Sequence, residues 1–533
     1  MGLRVSPVSR LVQRGRPGIV PCPVCGETRR TYGFSIHGLS LDRCTNCSLL
    51  MLSQPLPGLA EGATSGPRHS GLPWTDEITE RDAARGYLTA LRSRGVSGGR
   101  ILFVTGGDHP LGRAITQSGG TICSQVTIAD LLEPGWQVLA PGSCDAAVIL
   151  FQIEQCADPL MALTRVRHLL RPDGVVMLVM PTLDAPPVRW LGPKWTGWRP
   201  ENRYYFDRMT IQSLLERAGF AQVWTEPDRR LYTLQHVRAR AASTPGVAAR
   251  ATAAGLGSLP APLRRRRVRL ASSSLIVTAV RREPRERPLC SIIVPAFNEA
   301  DTFAELMDAL LAKQLPGMDK EVIIVESNST DGTRDLALRY QGHPEVTLVL
   351  EDQPRGKGHA VRRGIGEASG DFVMIQDADL EYDLNDYDEL LEPLLSHAAP
   401  FVLGRRHGNA LKMRQFKDGT VLPTMLNVGH IVLTTLFNML YQERMQDPFT
   451  MYKVFRRDCL YGLEFECNRF DFDVELVSKL LRKGYSPLEV PVNYRARSFE
   501  EGKKVSMLRD PWTWVRAAVK YRRQPLPGPR NGR

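Results

Sequence analysis

From Leu289 onward the chain alternates apolar runs with amphipathic ones, and this pattern restricts the fold more than any other feature. "CSIIVPAFNE", "EVIIVES", "VTLVLED" and "DFVMIQDAD" read as strands, separated by "DTFAELMDALLAKQL", "TRDLALRY" and "GHAVRRGIGEAS". The first of these separators places Phe303, Leu306, Met307, Leu310 and Leu311 on one helical stripe. Thr302 and Glu305 stand at capping-box spacing at its start. Repeated strand–helix units predict a mostly parallel sheet covered by helices on both faces. Ligands of such sheets bind beyond the carboxyl ends of the strands. Pro295 to Glu299, Glu326 to Asp331 and Asp377 to Glu381 all fall at those ends, so three polar clusters are expected in one crevice.

The third cluster, "QDADLEYD", packs four carboxylates behind a buried strand, where like charges repel and resist desolvation. Asp377 and Asp379 are two apart, so in extended chain both point to one side. Two hard oxygen ligands on one face suit Mg²⁺ or Mn²⁺, shared with substrate phosphates. Glu381 is the candidate third ligand, and Asp383 is expected in solvent.

"IIVPAFNEADT", "VIIVESNSTDGT", "RGKGHAVRRGI", "GDFVMIQDADLEYD", "VLGRR", "QDPFTMYKVFRR" and "YSPLEVPVNYRARSFEEGKKV" run in this order over Leu289 to Val505. In these motifs the segment resembles family 2 glycosyltransferases of the GT-A fold, within them the dolichol-phosphate mannose synthase and polyprenyl-phosphate glycosyltransferase branch. The resemblance implies that Pro295, Ala296, Glu299, Glu326 and Asp331 line a nucleotide pocket and that Lys357 approaches the donor diphosphate. It implies that Asp377, Asp379 and Glu381 hold the metal. Asp379, Asp447 and Arg406 are the candidate catalytic residues. A hydroxyl acceptor needs a general base, for which Asp447 is the candidate. A lipid phosphate is already an anionic nucleophile and needs cations, for which Arg406, Arg414, Arg497, Lys503 and Lys504 are candidates. The family's Gly-x-Ser-Lys aligns with Glu500 to Lys503, keeping the lysine and replacing the serine.

Two segments precede this one. Cys22 and Cys25, then Cys44 and Cys47, form two Cys-x-x-Cys pairs with eighteen residues between them. Four thiolates so spaced predict a closed, structural Zn²⁺ site. After a Gly/Pro/Ser-rich stretch, "ILFVTGG", "CDAAVILFQIEQCADPLMALTRVRHLLRPDGVVMLVMP" and "NRYYFDRMTIQSLLERAGF" resemble class I S-adenosylmethionine-dependent methyltransferases, with a zinc-ribbon lead-in like that of sugar-acting members. The resemblance implies a Rossmann-like fold and a cofactor site at Gly106, Gly107 and Asp130. The chain departs from it where Phe103 replaces the first strand's acid, where Pro110 and Leu111 stiffen the glycine-rich turn, and at Gln155 and Asn202, positions where relatives often carry histidine. "RRRRVR", Arg264 to Arg269, reads as a solvated turn or a contact for acidic headgroups.

The α/β architecture expected is thus a zinc ribbon (1–53), a linker and helical lead-in (54–98), a methyltransferase-like domain (99–282), a linker (283–288), a GT-A domain (289–520) and a disordered tail (521–533). A net charge of +12 suggests an anionic partner, and without aromatic and basic interleaving nucleic acid is not expected. No run of eighteen apolar residues occurs; Val421 to Tyr441 is interrupted by Asn427, His430 and Asn438. "MLRDPWTWVRAAVKYRR" has the make-up of an interfacial helix. The protein is expected in the cytoplasm, at most peripheral at the membrane's inner face. The leading expectation is metal-dependent, inverting transfer of a sugar from a nucleotide donor to polyprenyl phosphate. Transfer to a glycan hydroxyl, and a bifunctional sugar methyltransferase and glycosyltransferase, are the alternatives.

Overall fold

In the computed structural model, residues 20–53, 77–406 and 421–526 are described, apart from 37, 137, 138, 196, 245, 284 and 496–508. Three sheets organise them. The smallest contains β1 (Arg30–Ile36), β2 (Leu39–Cys44) and β3 (Leu50–Leu52), antiparallel in order, and closes on β8 (Tyr204–Tyr205) from far along the chain. The cysteine-bearing segment is therefore joined edge to edge with the segment that follows it. Trp195, Trp198, Tyr205, Leu41 and Leu50 form the shared apolar core.

The second sheet has the order β5 (Gly120–Val126), β4 (Gly99–Val104), β6 (Cys144–Leu150), β7 (Leu170–Pro181), β10 (Arg267–Arg281), β9 (Phe220–Thr233). The first four are parallel, and β10 is antiparallel to both of its neighbours, β7 and β9. The helix Glu77–Arg92, expected only as a lead-in, packs Tyr87 and Leu91 into this sheet's core beside Ile101 and Phe103.

The third sheet has the order β13 (Val346–Leu350), β12 (Asp319–Glu326), β11 (Leu289–Ala296), β14 (Phe372–Ile375), β16 (Lys453–Arg456), β15 (Phe401–Arg406), β17 (Leu488–Val492). Every strand runs the same way except β16, which is antiparallel to both neighbours. Period-2 alternation divides the strands between two cores. Ile292, Val294, Val322 and Ile324 meet the helices Ala300–Ala312 and Tyr387–Leu395 on one face. Ile293, Ile323 and Val373 meet Lys357–Glu367, Asp471–Lys483 and the two later helices Val421–Tyr441 and Arg509–Arg523 on the other. The last helix buries Ala517, Ala518 and Tyr521, so the tail expected from residue 521 begins inside a packed helix. The capping box does not form: the helix begins at Ala300, and the Thr302 hydroxyl donates to Ala378 O instead.

The second and third sheets are locked together around β16. Glu216 pairs with Arg456 at 2.9 Å, and both side chains are nearly excluded from solvent. Arg456 also lies over the Phe372 ring and donates to His397 Nδ1. Lys483 sits above the Trp224 ring and donates to the carbonyls of Cys459 and Tyr461. Arg282 reaches Asp371, just before β14. Breaking a buried ion pair strands one charge, so Glu216→Ala should cost about 3 kcal/mol or more. A urea titration followed by tryptophan fluorescence checks this, with the loss appearing as a lowered midpoint.

Candidate functional site

With β16 the one reversed strand, the carboxyl ends of β11, β12, β13, β14, β15 and β17 and the amino end of β16 lie along one edge. The three expected clusters do share this edge, but their side chains are used in different ways. Glu326 is fully buried, and its carboxylate accepts the backbone N–H groups of Asn328 and Ser329 with Arg334 3.4 Å away. Asp331 accepts from Ala300 N and from the N–H and hydroxyl of Thr333. Burial opposes its charge, but these bonds win and hold its pKa below the usual carboxylate value. Glu299 donates its backbone N–H to Thr333 Oγ1, so the loops after β11 and β12 brace each other. Pro295 and Ala296 lie at the end of β11, paired with Val325 and Glu326.

β14 stops at Ile375, so Asp377 and Asp379 follow the strand rather than extend it, and alternation along a strand does not set their directions. Asp377 forms an ion pair with Lys357. Burial alone would lower the Lys357 pKa, yet Asp377, Asp473 and Asp379 hold it above its ordinary value. Asp379 is buried and accepts the Glu381 N–H at 3.1 Å. Glu381 accepts from Tyr494 OH, and Asp383 is exposed and caps the following turn through Asn385 N. Among the described residues, the one group of three or more potential ligands gathered within 4.8 Å is Cys22, Cys25, Cys44 and Cys47. Asp377, Asp379 and Glu381 thus form no closed cage. A set of hard carboxylate oxygens held this loosely fits Mg²⁺ or Mn²⁺ only as a cation completed by a ligand's oxygens.

The largest departure from expectation is at Asp447. Arg406 Nε and Nη2 each donate to it at 2.8 Å, and the Arg406 backbone N–H adds a third bond. Asp447 is 1% exposed, with His430 3.6 Å away on the helix Val421–Tyr441. Burial pushes its carboxyl upward, but Arg406 and His430 outweigh that and keep it below the usual carboxylate range. So placed, the Asp447 carboxylate and the Arg406 guanidinium are each occupied by the other. Sequence reasoning missed the pairing because forty residues separate the partners. Arg414, Arg497, Lys503 and Lys504 lie outside the described residues.

Sequence reasoning also passed over an aromatic cluster under this edge. Tyr382 stacks on Tyr452 at 4.2 Å and lies 5.0 Å from Tyr494, whose ring carries Arg406 above it at 5.3 Å. The tyrosines in "LEYDLNDYDE", "TMYK" and "VNYR" were its only trace in the sequence.

Residues 291–461 match the family described as glycosyl transferase family 2. The C-terminal segment is a family 2 glycosyltransferase domain. Residues 83–225 match the family described as methyltransferase domain. The chain is 27% identical over 234 residues to the low-salt glycan biosynthesis hexosyltransferase Agl6 of Haloferax volcanii, covering 43% of this chain and 52% of that protein. It is 26% identical over 216 residues to a dolichol-phosphate mannosyltransferase of Pyrococcus furiosus, covering 40% and 58%. The chain therefore spans somewhat over half the length of these relatives. Among solved structures it is similar to glucosyl-3-phosphoglycerate synthase from Mycobacterium tuberculosis, at 21% identity over 45% of this chain and 81% of that one, with a TM-score of 0.35.

The methyltransferase-like segment does not fit S-adenosylmethionine at the positions expected to hold it. Phe103 is buried in the core where an acid was needed. Gly106 abuts Gln152, such that a Cβ would meet its Nε2 at 3.3 Å, and Gly107 O accepts from Gln125. Asp130 is taken up by its own turn, accepting Thr127 N at 2.7 Å. Beyond β6, Glu154 is buried and its Oε2 has no hydrogen-bond partner; both side-chain polar atoms of Asn202 are likewise unpartnered. Gln155 only turns back toward Phe151 O.

Two predictions follow from these geometries. Asp447→Asn should destabilise the fold by about 3–5 kcal/mol because Arg406 stays buried without its counter-ion, whereas replacing both partners by Leu and Met should cost far less. Paired urea titrations test the difference. Burial pushes the Glu154 carboxyl up to about 8, above its unfolded value near 4.3. The folded protein therefore holds a proton that the unfolded chain releases, and stability falls as pH rises from about 4.3 to about 8. Glu154→Gln should flatten this dependence and be the more stable protein at the alkaline end, as thermal melts across that window would show.

Proposed function

We propose that the protein transfers a sugar, with inversion, from a nucleotide-sugar to a polyprenyl phosphate, assisted by Mg²⁺ or Mn²⁺. The observation that carries the acceptor class is the Arg406–Asp447 pair. A hydroxyl acceptor must lose a proton to a base, and the carboxyl expected for that task is spent on an arginine. A phosphate monoester arrives already anionic and needs none. The domain match and the similarity to a protein named dolichol-phosphate mannosyltransferase support the same reading.

In this reading the donor's nucleotide lies across the loops after β11 and β12, shaped by Glu299, Glu326 and Asp331 from beneath. Lys357 would turn from Asp377 toward the diphosphate, and Asp377, Asp379 and Glu381 would hold the divalent cation. That cation would offset the negative charge that develops on the departing diphosphate. An acceptor phosphate oxygen forms the new bond to sugar C1 as the bond from C1 to the diphosphate oxygen breaks on the opposite face. Thr302 anchors the backbone between the two acids by donating to Ala378 O, which supports this reading.

The helix Val421–Tyr441 supports a lipid acceptor. Its inner face brings His430 to Asp447, while Val428, Val432, Leu436 and Met439 form an exposed stripe at helical spacing. Among the described residues no helix is long and apolar enough to cross a membrane. Purified protein incubated with Mn²⁺, polyprenyl phosphate and a panel of nucleotide sugars should form lipid-linked sugar. Asp379→Ala should lower that rate by about 100-fold or more. Nucleotide release only with a glycan acceptor would overturn the acceptor assignment.

The four cysteines are read as a structural zinc site. Cys22 and Cys47, and Cys25 and Cys44, each bring their sulfurs to 3.5 Å, and soft thiolates so gathered favour Zn²⁺. The methyltransferase-like segment is read as a scaffold that mounts the transferase domain through Glu216 and Arg456. Elemental analysis should find one zinc per chain, and Cys44→Ser should lose the metal and melt earlier. Metal-free protein that melts unchanged would refute the assignment.

A further inference from the structure

β9 ends at Thr233 and β10 begins at Arg267, and these two residues are directly paired. A hairpin between such neighbours closes with about two to five residues. Here the connection runs from 234 to 266 and forms three helices, Leu234–Ser243, Val247–Gly257 and Ala261–Arg264. No described residue of this arm is buried, so neither sheet needs it for a core. It springs from β9, the edge strand of its sheet.

Its composition is one-sided. Residues 234–266 contain Arg238, Arg240, Arg250, Arg264, Arg265 and Arg266 and no aspartate or glutamate. Ordinary soluble surfaces intersperse both signs of charge. Arg240 reaches Ser273 Oγ at 3.4 Å, and none of the six forms an ion pair among the described residues. The contrast lies immediately beyond, where Arg269 on β10 is bound to Asp82 at 2.6 Å. Exposed apolar side chains accompany the charge: Val247, which opens an alanine-rich helix, is 80% exposed, and Leu263 is 44% exposed.

We infer that this arm is a docking surface for an anionic lipid bilayer, separate from the transferase site. Arginines facing acidic headgroups gain from the negative surface potential, and the exposed valine and leucine have hydrocarbon to enter. Nucleic acid fits less well, because the arm has no Phe, Tyr or Trp on which bases could stack. The inference does not rest on the acceptor reading: it concerns where the protein sits, not what it modifies.

The test is co-sedimentation of the full chain with vesicles of phosphatidylcholine alone or mixed with phosphatidylglycerol. Binding should require the anionic lipid and weaken as salt rises. In Arg264→Gln/Arg265→Gln/Arg266→Gln the affinity for mixed vesicles should drop at least about tenfold, while the thermal melt stays unchanged. Transfer to a detergent-dispersed acceptor should be the same in parent and triple variant, so a failed acceptor assignment remains distinguishable from a failed docking surface. Equal vesicle binding by the triple variant, equal binding to neutral vesicles, or displacement of the vesicles by transfer RNA at matched phosphate concentration would each overturn the inference.

Discussion

The bidentate ion pair between Arg406 and Asp447 is the interaction around which the candidate site is arranged. It ties the end of β15 to the loop that enters β16, at the point where the sheet reverses direction. Glu489 on β17 takes the backbone N–H groups of Gln446 and Asp447, so three adjacent strands meet at this pair. From Arg406 the contact passes to Tyr494, and from Tyr494 to Glu381 by hydrogen bond and to Tyr382 by ring contact. The acidic loop and the locked aspartate are thereby parts of one framework. Charges this deep are tolerated only because each has its partner.

The same strand also links the site to the rest of the chain. β16 carries Lys453, fully buried and bound to Asp473, at the end nearest the acidic loop, and Arg456 at the other end against Glu216. A segment with a methyltransferase's fold thus grips the strand that pairs with β14. The contact needs no cofactor, and the surroundings of Gly106 and Asp130 are taken up by Gln152 and by Asp130's own turn.

Local patterning made much of the fold legible. Strands β11, β12, β13 and β14 and their helices follow from apolar periodicity, and the cysteine cluster follows from spacing alone. What was hidden is non-local. β5 and β9 carry mixed polar residues and were not foreseen, because their neighbours rather than their own pattern make them strands. The reversal at β16 depends on pairing across the sheet, and no feature of "KVFR" announces it. At the site, the position of "QDAD" could be read, but not that Lys357 would occupy Asp377 or that Glu326 would be consumed by its own loop. Asp447 shows the general difficulty: an acid's chemistry depends on its partner, and here that partner comes from another strand.

The pH dependence of kcat/KM for transfer to polyprenyl phosphate distinguishes an anionic acceptor from a base on the enzyme. If the acceptor attacks as an anion and Asp447 stays paired, the profile should show a single ascending limb, at the second ionisation of the acceptor's own phosphate near pH 6. An ascending limb that belongs to the enzyme, and that disappears in folded Asp447→Asn, would show that the aspartate is a base after all.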